Sequence, residues 1–407
     1  MLTDVLVPHN RWDLLAGRPV PRPRVSVVVV HYDQPRQLAL TLAALRRQTL
    51  PPLEIVVADD GSREPVRPGD GPVPVSVVRQ EDLGFRAAAA RNAGAARTRG
   101  EVLVFLDADT VPEPGFVEAL TAPVALCPDV LAVGRRRHAD LVALAPGDDP
   151  AAAPELAAPR WLADGYARSG DLLHADGRSF RFVISAVLAC RRSLFDDLGG
   201  FDERFVGYGG EDWDLAYRAW NAGAVLVHRR DAVAWHDGPD WAERDVARGQ
   251  KEAEAARLAE LIPEPGTRGG HPAGELPDVL VELGVDTAGV RASLDVATHR
   301  DLAIRPLHRP WSADQLRRAR ARVVVHDVLP PSAIADAMRL LEGRDAGEIT
   351  IVDAGTGAHL ADLTSTRAEG RARRWAGSSG LPRDEVVQRA FGRTTCHVRS
   401  ATGRGAP

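Results

Sequence analysis

The chain has 407 residues, is 44% hydrophobic and 26% charged, and carries a net charge of −5; this is ordinary for a globular protein long enough to form two domains. A net negative chain gives no general footing for nucleic acid, which asks for a basic face. No apolar run approaches the ~20 residues that span a bilayer, and no signal peptide is evident at the start. Cys127, Cys190 and Cys396 are an odd set without metal-ligand spacing, so a disulfide framework is not expected. A cytoplasmic protein fits these features, with peripheral membrane contact through a basic patch left open.

Residues 1–23 carry Pro8, Pro19, Pro21 and Pro23 with little periodicity and read as an extended lead-in. A strand is expected over 25–30, followed by the turn His31-Tyr32-Asp33-Gln34-Pro35 and a helix over about 36–48, stopped by Pro51 and Pro52. A second strand, 54–58, ends in Asp59-Asp60-Gly61-Ser62, and a third, 75–78, leads through Gly84-Phe85-Arg86 into an Ala-rich helix over about 87–97. The next strand, 102–106, stops at Asp107-Ala108-Asp109. Strand and helix alternate, which predicts right-handed βαβ units and a mostly parallel sheet.

The middle is less regular. A strand at 130–133 precedes Arg135, Arg136, Arg137 and His138, and 144–170, rich in Pro, Ala, Gly and Asp, reads as a long loop. A strand at 182–189 and a short helix ended by Gly199-Gly200 lead to the stretch Phe201 to Asp214. A helix continues from there to Gly223, strands at 225–228 and 232–235 lead to His236, and 241–261 reads as a solvated helix. Residues 262–277 look like a linker. A smaller α/β pattern follows, with strands at 279–283, 323–326 and 349–352, helices near 288–299, 312–321 and 332–343, and a basic, loop-rich tail.

The acids stand where chemistry is expected. Alternate residues of an extended chain point the same way, so Asp107 and Asp109 share a side at a strand's carboxyl end, the edge at which open α/β sheets bind ligands. Two carboxylates there make a hard oxygen site for Mg²⁺ or Mn²⁺, unless they only form a solvated turn. Asp59 and Asp60 end the second strand, on the same edge, where a carboxylate accepts hydrogen bonds from a base imide or ribose hydroxyl, or merely starts a helix. Arg91, with Asn92 and Gly94, lies on the helix after the third strand, where a guanidinium can reach a phosphate or simply sit on the helix surface. Glu211 and Asp212 follow two glycines at a helix start and suit either a general base or an N-cap. His236 is an imidazole for a metal, or a structural histidine.

Together these stretches resemble nucleotide-sugar glycosyltransferases of the GT-A fold. Residues 25–35, 54–62, 84–94 and 101–110 are similar to the family-two N-terminal half. Gly199-Gly200-Phe201-Asp202-Glu203 and Tyr208-Gly209-Gly210-Glu211-Asp212-Trp213-Asp214 resemble the galactosyltransferase-type segment. The resemblance covers residues 24–245 and implies an α/β GT-A sheet, mostly parallel and flanked by helices, over 1–262. A linker at 263–277 and a smaller accessory α/β domain over 278–407 complete the expected plan. It also implies an enzyme moving a sugar from a nucleoside-diphosphate donor, with UDP as the expected nucleotide, to a glycan, lipid-linked or small-molecule acceptor. Asp59 or Asp60 and Tyr32 would meet the nucleotide with Arg91 and Asp107, and Asp107, Asp109 and His236 would hold Mn²⁺ or Mg²⁺. Asp212 would be the base of an inverting reaction and Glu211 would position the acceptor. His31-Tyr32-Asp33 stands where many members have Thr-Tyr-Asn. Two other classes share parts of this pattern: a nucleotidyltransferase on a similar sheet, and a non-catalytic sugar-binding or scaffold relative.

Overall fold

The computed structural model describes residues 4–207, 209–239, 248–269 and 274–399. Tyr208, the start of the helix expected at 241–261, and the middle of the stretch 263–277 lie outside the described residues. The chain divides into two compact units, residues 1–216 with 225–257, and residues 217–224 with 258–407.

In the first unit the order opens as β1 (Val25–His31), α1 (Pro35–Leu45), β2 (Glu54–Asp59), β3 (Val75–Arg79), α2 (Ala87–Arg97) and β4 (Val102–Asp107). The continuous apolar runs of β1, β2 and β4 are buried, as strands covered on both faces must be. β1 pairs in parallel with β2 and β4, and the register sets His31 opposite Asp59 and Val30 opposite Asp107. Three strand ends that bear polar side chains therefore reach one edge together. α2 lies close over this sheet because Gly94 has no Cβ, which would fall 2.5 Å from a methyl of Val28.

The unit continues through β5 (Thr110–Pro112), α3 (Phe116–Leu126), β6 (Val130–Ala139), β7 (Glu155–Leu156), α4 (Arg160–Ser169), β8 (Val187–Arg191), α5 (Arg192–Leu198), α6 (Glu211–Asn221) and β9 (Val225–Asp237). The sheet order is β3-β2-β1-β4-β8-β6-β9-β5, with β7 on β6. β8 runs antiparallel to β4 and β6, while β6 and β9 are parallel.

Several expectations change here. Helix α4 occupies the end of the stretch expected as a loop over 144–170, and the strand expected at 182–189 is a 3₁₀ turn, Ser179–Phe182, followed by β8. The two strands expected at 225–228 and 232–235 are the single β9, which continues past a register shift opposite Gly134 and Arg135. The lead-in is not simply extended: Val7 and Leu15 are buried, and Asn10 Nδ2 donates to the Leu172 and Leu226 carbonyls at 2.6 and 2.9 Å.

The chain then runs through α7 (Arg248–Leu261) and α8 (Pro265–Arg268) into β10 (Val279–Leu283), α9 (Ala288–Asp295), β11 (Leu302–Pro306), α10 (Ala313–Arg318), β12 (Ala321–Val325), α11 (Ala333–Arg344), β13 (Glu348–Asp353), β14 (His359–Ser365), α12 (Thr366–Ser379), α13 (Arg383–Ala390) and β15 (Arg393–Val398). The second unit has a six-stranded sheet, β11-β10-β12-β14-β13-β15. The tail expected as loop-rich contains α12, α13 and β15 instead. Its basic residues turn inward: Arg367 Nη1 donates to the Trp220 and Ala224 carbonyls at 3.0 and 2.7 Å, and Arg371 Nε to that of Gly223 at 2.7 Å. Among the described residues no helix is long and apolar enough to cross a membrane, and the three cysteines are buried and form no disulfide.

The second unit's hold on residues 217–224 carries a prediction. Tyr217 and Asn221 also donate to the Arg318 carbonyl, at 2.7 and 3.0 Å. A chain ending at Leu261 loses Arg318, Arg367 and Arg371, and these buried backbone carbonyls and side chains lose their partners. We expect that chain to be insoluble or to melt without cooperativity, as read by soluble yield and thermal unfolding. A soluble product with a sharp transition would show that residues 217–224 are stable without the second unit.

Candidate functional site

The carboxyl ends of β1, β2 and β4 frame the site. Asp59 is buried, and its Oδ1 accepts from the Ser62 amide and hydroxyl. Its Oδ2 has no hydrogen bond, only a 3.4 Å ion pair with Arg79. Asp60 is used differently: its Oδ1 accepts from Gln80 and its Oδ2 from the Arg86 amide at 2.8 Å, which ties the end of β2 to the start of α2. His31 is buried at the centre of this edge, and its Nδ1 has no partner. Burial pushes the His31 pKa down, so the ring is held neutral. Tyr32 is exposed, and its hydroxyl reaches Asp82 at 3.3 Å.

Arg91 joins the two halves of the site. Its side chain is 5% exposed; Nη2 donates to Asp107 Oδ1 at 2.9 Å and Nη1 to Glu211 Oε1 at 2.8 Å. Flanking carboxylates push its pKa up against the effect of burial, so it stays charged. The expectation that Arg91 reaches a phosphate therefore meets a guanidinium already committed to two acids, 120 positions apart from the second of them. Asn92, the next residue, fastens the segment before α6. Its Nδ2 donates to the Phe201 carbonyl and Glu203 at 2.9 Å each, and its Oδ1 accepts from the Phe201 amide.

Glu211 and Asp212 open α6 after Gly209 and Gly210, both at positive φ (95° and 92°), a conformation that glycine adopts without strain. Asp212 Oδ1 accepts from the Trp213 amide at 2.8 Å. Burial, and then the negative charge of Glu211, push the Asp212 carboxyl up to about 7. A third acid joins them. Glu254 on α7 sits half-buried so close that a Cβ at Gly209 would lie 2.6 Å from its Oε1, and burial and Glu211 push its carboxyl up too. Nothing in the Ala- and charge-rich run around Glu254 marks it out in the sequence.

At the other side, β5 and β9 pair so that Thr110 faces His236. His236 Nε2 lies 3.6 Å from Asp109 Oδ2, which also accepts from Gln34 Nε2 at 3.2 Å. His236 Nδ1 faces the Gly238 carbonyl at 3.3 Å, which can only accept, so Nδ1 is the donor in this contact and Nε2 is the nitrogen on the Asp109 side. The His138 ring packs against that of His236, with centroids 4.8 Å apart and planes tilted by 47°. Of the three expected metal ligands, Asp109 and His236 come together, while Asp107 is held on Arg91. Gln34 and His138 are additional neighbours that sequence spacing did not single out.

Acids at the carboxyl ends of β2 and β4 thus lie on one sheet edge, and a buried arginine joins Asp107 to Glu211 at the start of α6. Residues 26–198 match the family described as Glycosyl transferase family 2, and residues 174–233 match one described as the N-terminal domain of galactosyltransferase. Residues 26–233 thus match parts of two glycosyltransferase families in this order. Among similar curated proteins, hyaluronan synthase of Pasteurella multocida is 29% identical over 248 residues, 55% of this chain and 25% of that one. Validoxylamine A glucosyltransferase of Streptomyces hygroscopicus subsp. limoneus is 32% identical over 229 residues, 52% of this chain and 51% of that one. Pre-mycofactocin glycosyltransferase of Mycobacterium tuberculosis is 34% identical over 218 residues, 52% of this chain and 43% of that one. The chain spans between a quarter and about half the length of these relatives.

Proposed function

We propose that the first unit moves a sugar from a UDP-linked donor to an acceptor hydroxyl with inversion at the anomeric carbon, and that it uses a divalent cation, Mn²⁺ or Mg²⁺. The observation that carries this reading is the bridge Asp107–Arg91–Glu211, which sets Asp212 beside the strand edge that bears the other acids. A carboxyl pushed up to about 7 is matched to taking a proton from a hydroxyl near neutral pH. A single base behind the acceptor leads to inversion by in-line attack.

The donor set suits the cation. A carboxylate oxygen and an imidazole nitrogen 3.6 Å apart, with further carboxylate nearby, are hard and borderline ligands of the kind Mn²⁺ accepts. Asp109 and His236 would hold it, with Asp107 turned to the ribose side. Bound there, the ion would offset charge gathering on the departing diphosphate. The chain's own groups do the rest. Asp59, through its Oδ2, and Asp60 and Tyr32 would orient the nucleotide, and Glu211, steadied by Arg91, would position the acceptor. Arg91 acts by holding Asp107 and Glu211 in place.

Calorimetry of UDP binding with and without Mn²⁺ tests the metal. Asp109→Ala and His236→Ala should each weaken metal-dependent binding by about tenfold or more, since each removes one of few protein ligands. Unchanged metal dependence in His236→Ala would leave that histidine a structural one. Incubation with donor and Mn²⁺ separates the classes: a glycosyltransferase releases nucleoside diphosphate, a nucleotidyltransferase releases pyrophosphate, and a scaffold releases neither.

A further inference from the structure

We propose that the second unit carries its own transition-metal site, made of His326, His359 and Asp362 and fitted to Zn²⁺ or a similar borderline cation. His326 Nε2 lies 3.0 Å from Asp362 Oδ2, and His359 Nε2 lies 2.9 Å from Asp362 Oδ1. The two rings are 4.8 Å apart at 51°, and the three ligand atoms all lie within 4.8 Å of one another. Among the described residues this is the one group of three His, Cys, Asp or Glu side chains so arranged. Bonds of 2.0–2.1 Å at tetrahedral angles would set such atoms about 3.3 Å apart, so the two His–Asp separations of 3.0 and 2.9 Å would open slightly and the widest pair, within 4.8 Å, would draw in to admit an ion.

The backbone explains how these residues meet. β12 and β14 are antiparallel, with Val324 opposite Asp362 and Val325 opposite Ala361; the His326 amide then donates to the Leu360 carbonyl at 2.8 Å. His326 thus falls on the same face of the sheet as Asp362. His359 should not: it is three positions from Asp362, and an odd separation on a regular strand puts side chains on opposite faces. The register against β13 shifts here, from Ile351 opposite Ala361 to Val352 opposite His359, which leaves Leu360 as an extra residue. This bulge buries Leu360 and turns His359 out beside His326 and Asp362. Bulges that re-aim a side chain in this way are common next to functional sites.

Two imidazoles and a carboxylate are the ligand type of Zn²⁺ sites that keep a position open. The three side chains are 36–48% exposed, so water or an outside ligand reaches the remaining position. The site uses no residue of the glycosyltransferase machinery. Without an ion, the same groups would form a plain hydrogen-bonded cluster, each Nε2–H donating to the carboxylate.

The test uses the full chain carrying Asp109→Ala and His236→Ala, which removes the ligands proposed for the first unit. Zn²⁺ is titrated in competition with a fluorescent indicator. We expect one saturable Zn²⁺ per chain, with the apparent Kd raised at least tenfold, roughly the loss seen for disturbed metal sites, when His359→Ala or Asp362→Ala is added. No saturable uptake, or equal affinity after either change, overturns the site. An independent measurement needs no substitution: Zn²⁺ should slow diethyl pyrocarbonate labelling of His326 and His359, relative to the exposed His308, in the unaltered chain. Labelling of the pair that is indifferent to Zn²⁺ overturns the proposal as well.

Discussion

Asp212→Asn is expected to leave the fold and metal-dependent UDP binding intact while sugar transfer falls by roughly 10²-fold or more, the typical contribution of a general base. The amide keeps the size of the side chain and can still accept from the Trp213 amide, but it cannot take a proton. Only the carboxylate is active, so the wild-type rate should rise with pH and level off above about 7. The residual rate of the variant should lack that limb. Stability supplies the opposite sign. A carboxyl raised in the folded state favours the protonated form, and this contribution is full below the ordinary carboxylate range and lost as pH rises toward 7. Asp212→Asn should therefore melt higher than wild type at pH 8 and near wild type at pH 4. An NMR spectrum of the product that showed retained anomeric configuration would overturn the role of Asp212, whatever the variant's rate.

Arg91→Ala should produce the largest loss of stability of any single change near the site. It leaves Glu211, with a side chain 10% exposed, unpaired beside Asp212, and it frees Asp107 as well. Removing one partner of a buried ion pair costs about 3–5 kcal/mol, and Arg91 serves two partners, though Asp107 is the wetter of them. Urea unfolding measures this. Transfer should be lost along with the placement of Glu211 and Asp212. Arg91→Lys keeps the charge but offers one ammonium where a planar fork reaches two acids, so it should restore only part of the stability. Near-wild-type stability in Arg91→Ala would mean that the bridge does not hold the two halves of the site.

The first half of the fold was legible because its signals are local. β1, β2 and β4 are short apolar runs, and each ends in a polar residue that water or a ligand can reach. Gly199, at φ 78°, closes α5 where the sequence suggested. Elements without such contrast were missed. Phe116–Leu126 is apolar almost throughout and contains Pro123, so it shows little of the 3.6-residue alternation that identifies a helix, yet it is α3 and is mostly buried. α12 reads as a basic tail because Arg367 and Arg371 resemble surface residues. They are buried, since backbone carbonyls at and just past the end of α6 accept hydrogen bonds from their guanidinium groups.

The residues by themselves pointed to the class of chemistry: acids at the ends of β2 and β4, and two more after a pair of glycines. What those groups do was decided only by tertiary contacts. Arg91 could as well have faced a phosphate; it binds Asp107 and Glu211 because α2 packs at Gly94's distance from β1. Asp109 finds His236 through the pairing of β5 with β9. Asp212 has a raised carboxyl because burial and Glu211 act on it together, and His359 joins Asp362 because one extra residue rotates a strand. Register and desolvation depend on residues far apart in the chain, and neither leaves a mark in the local sequence.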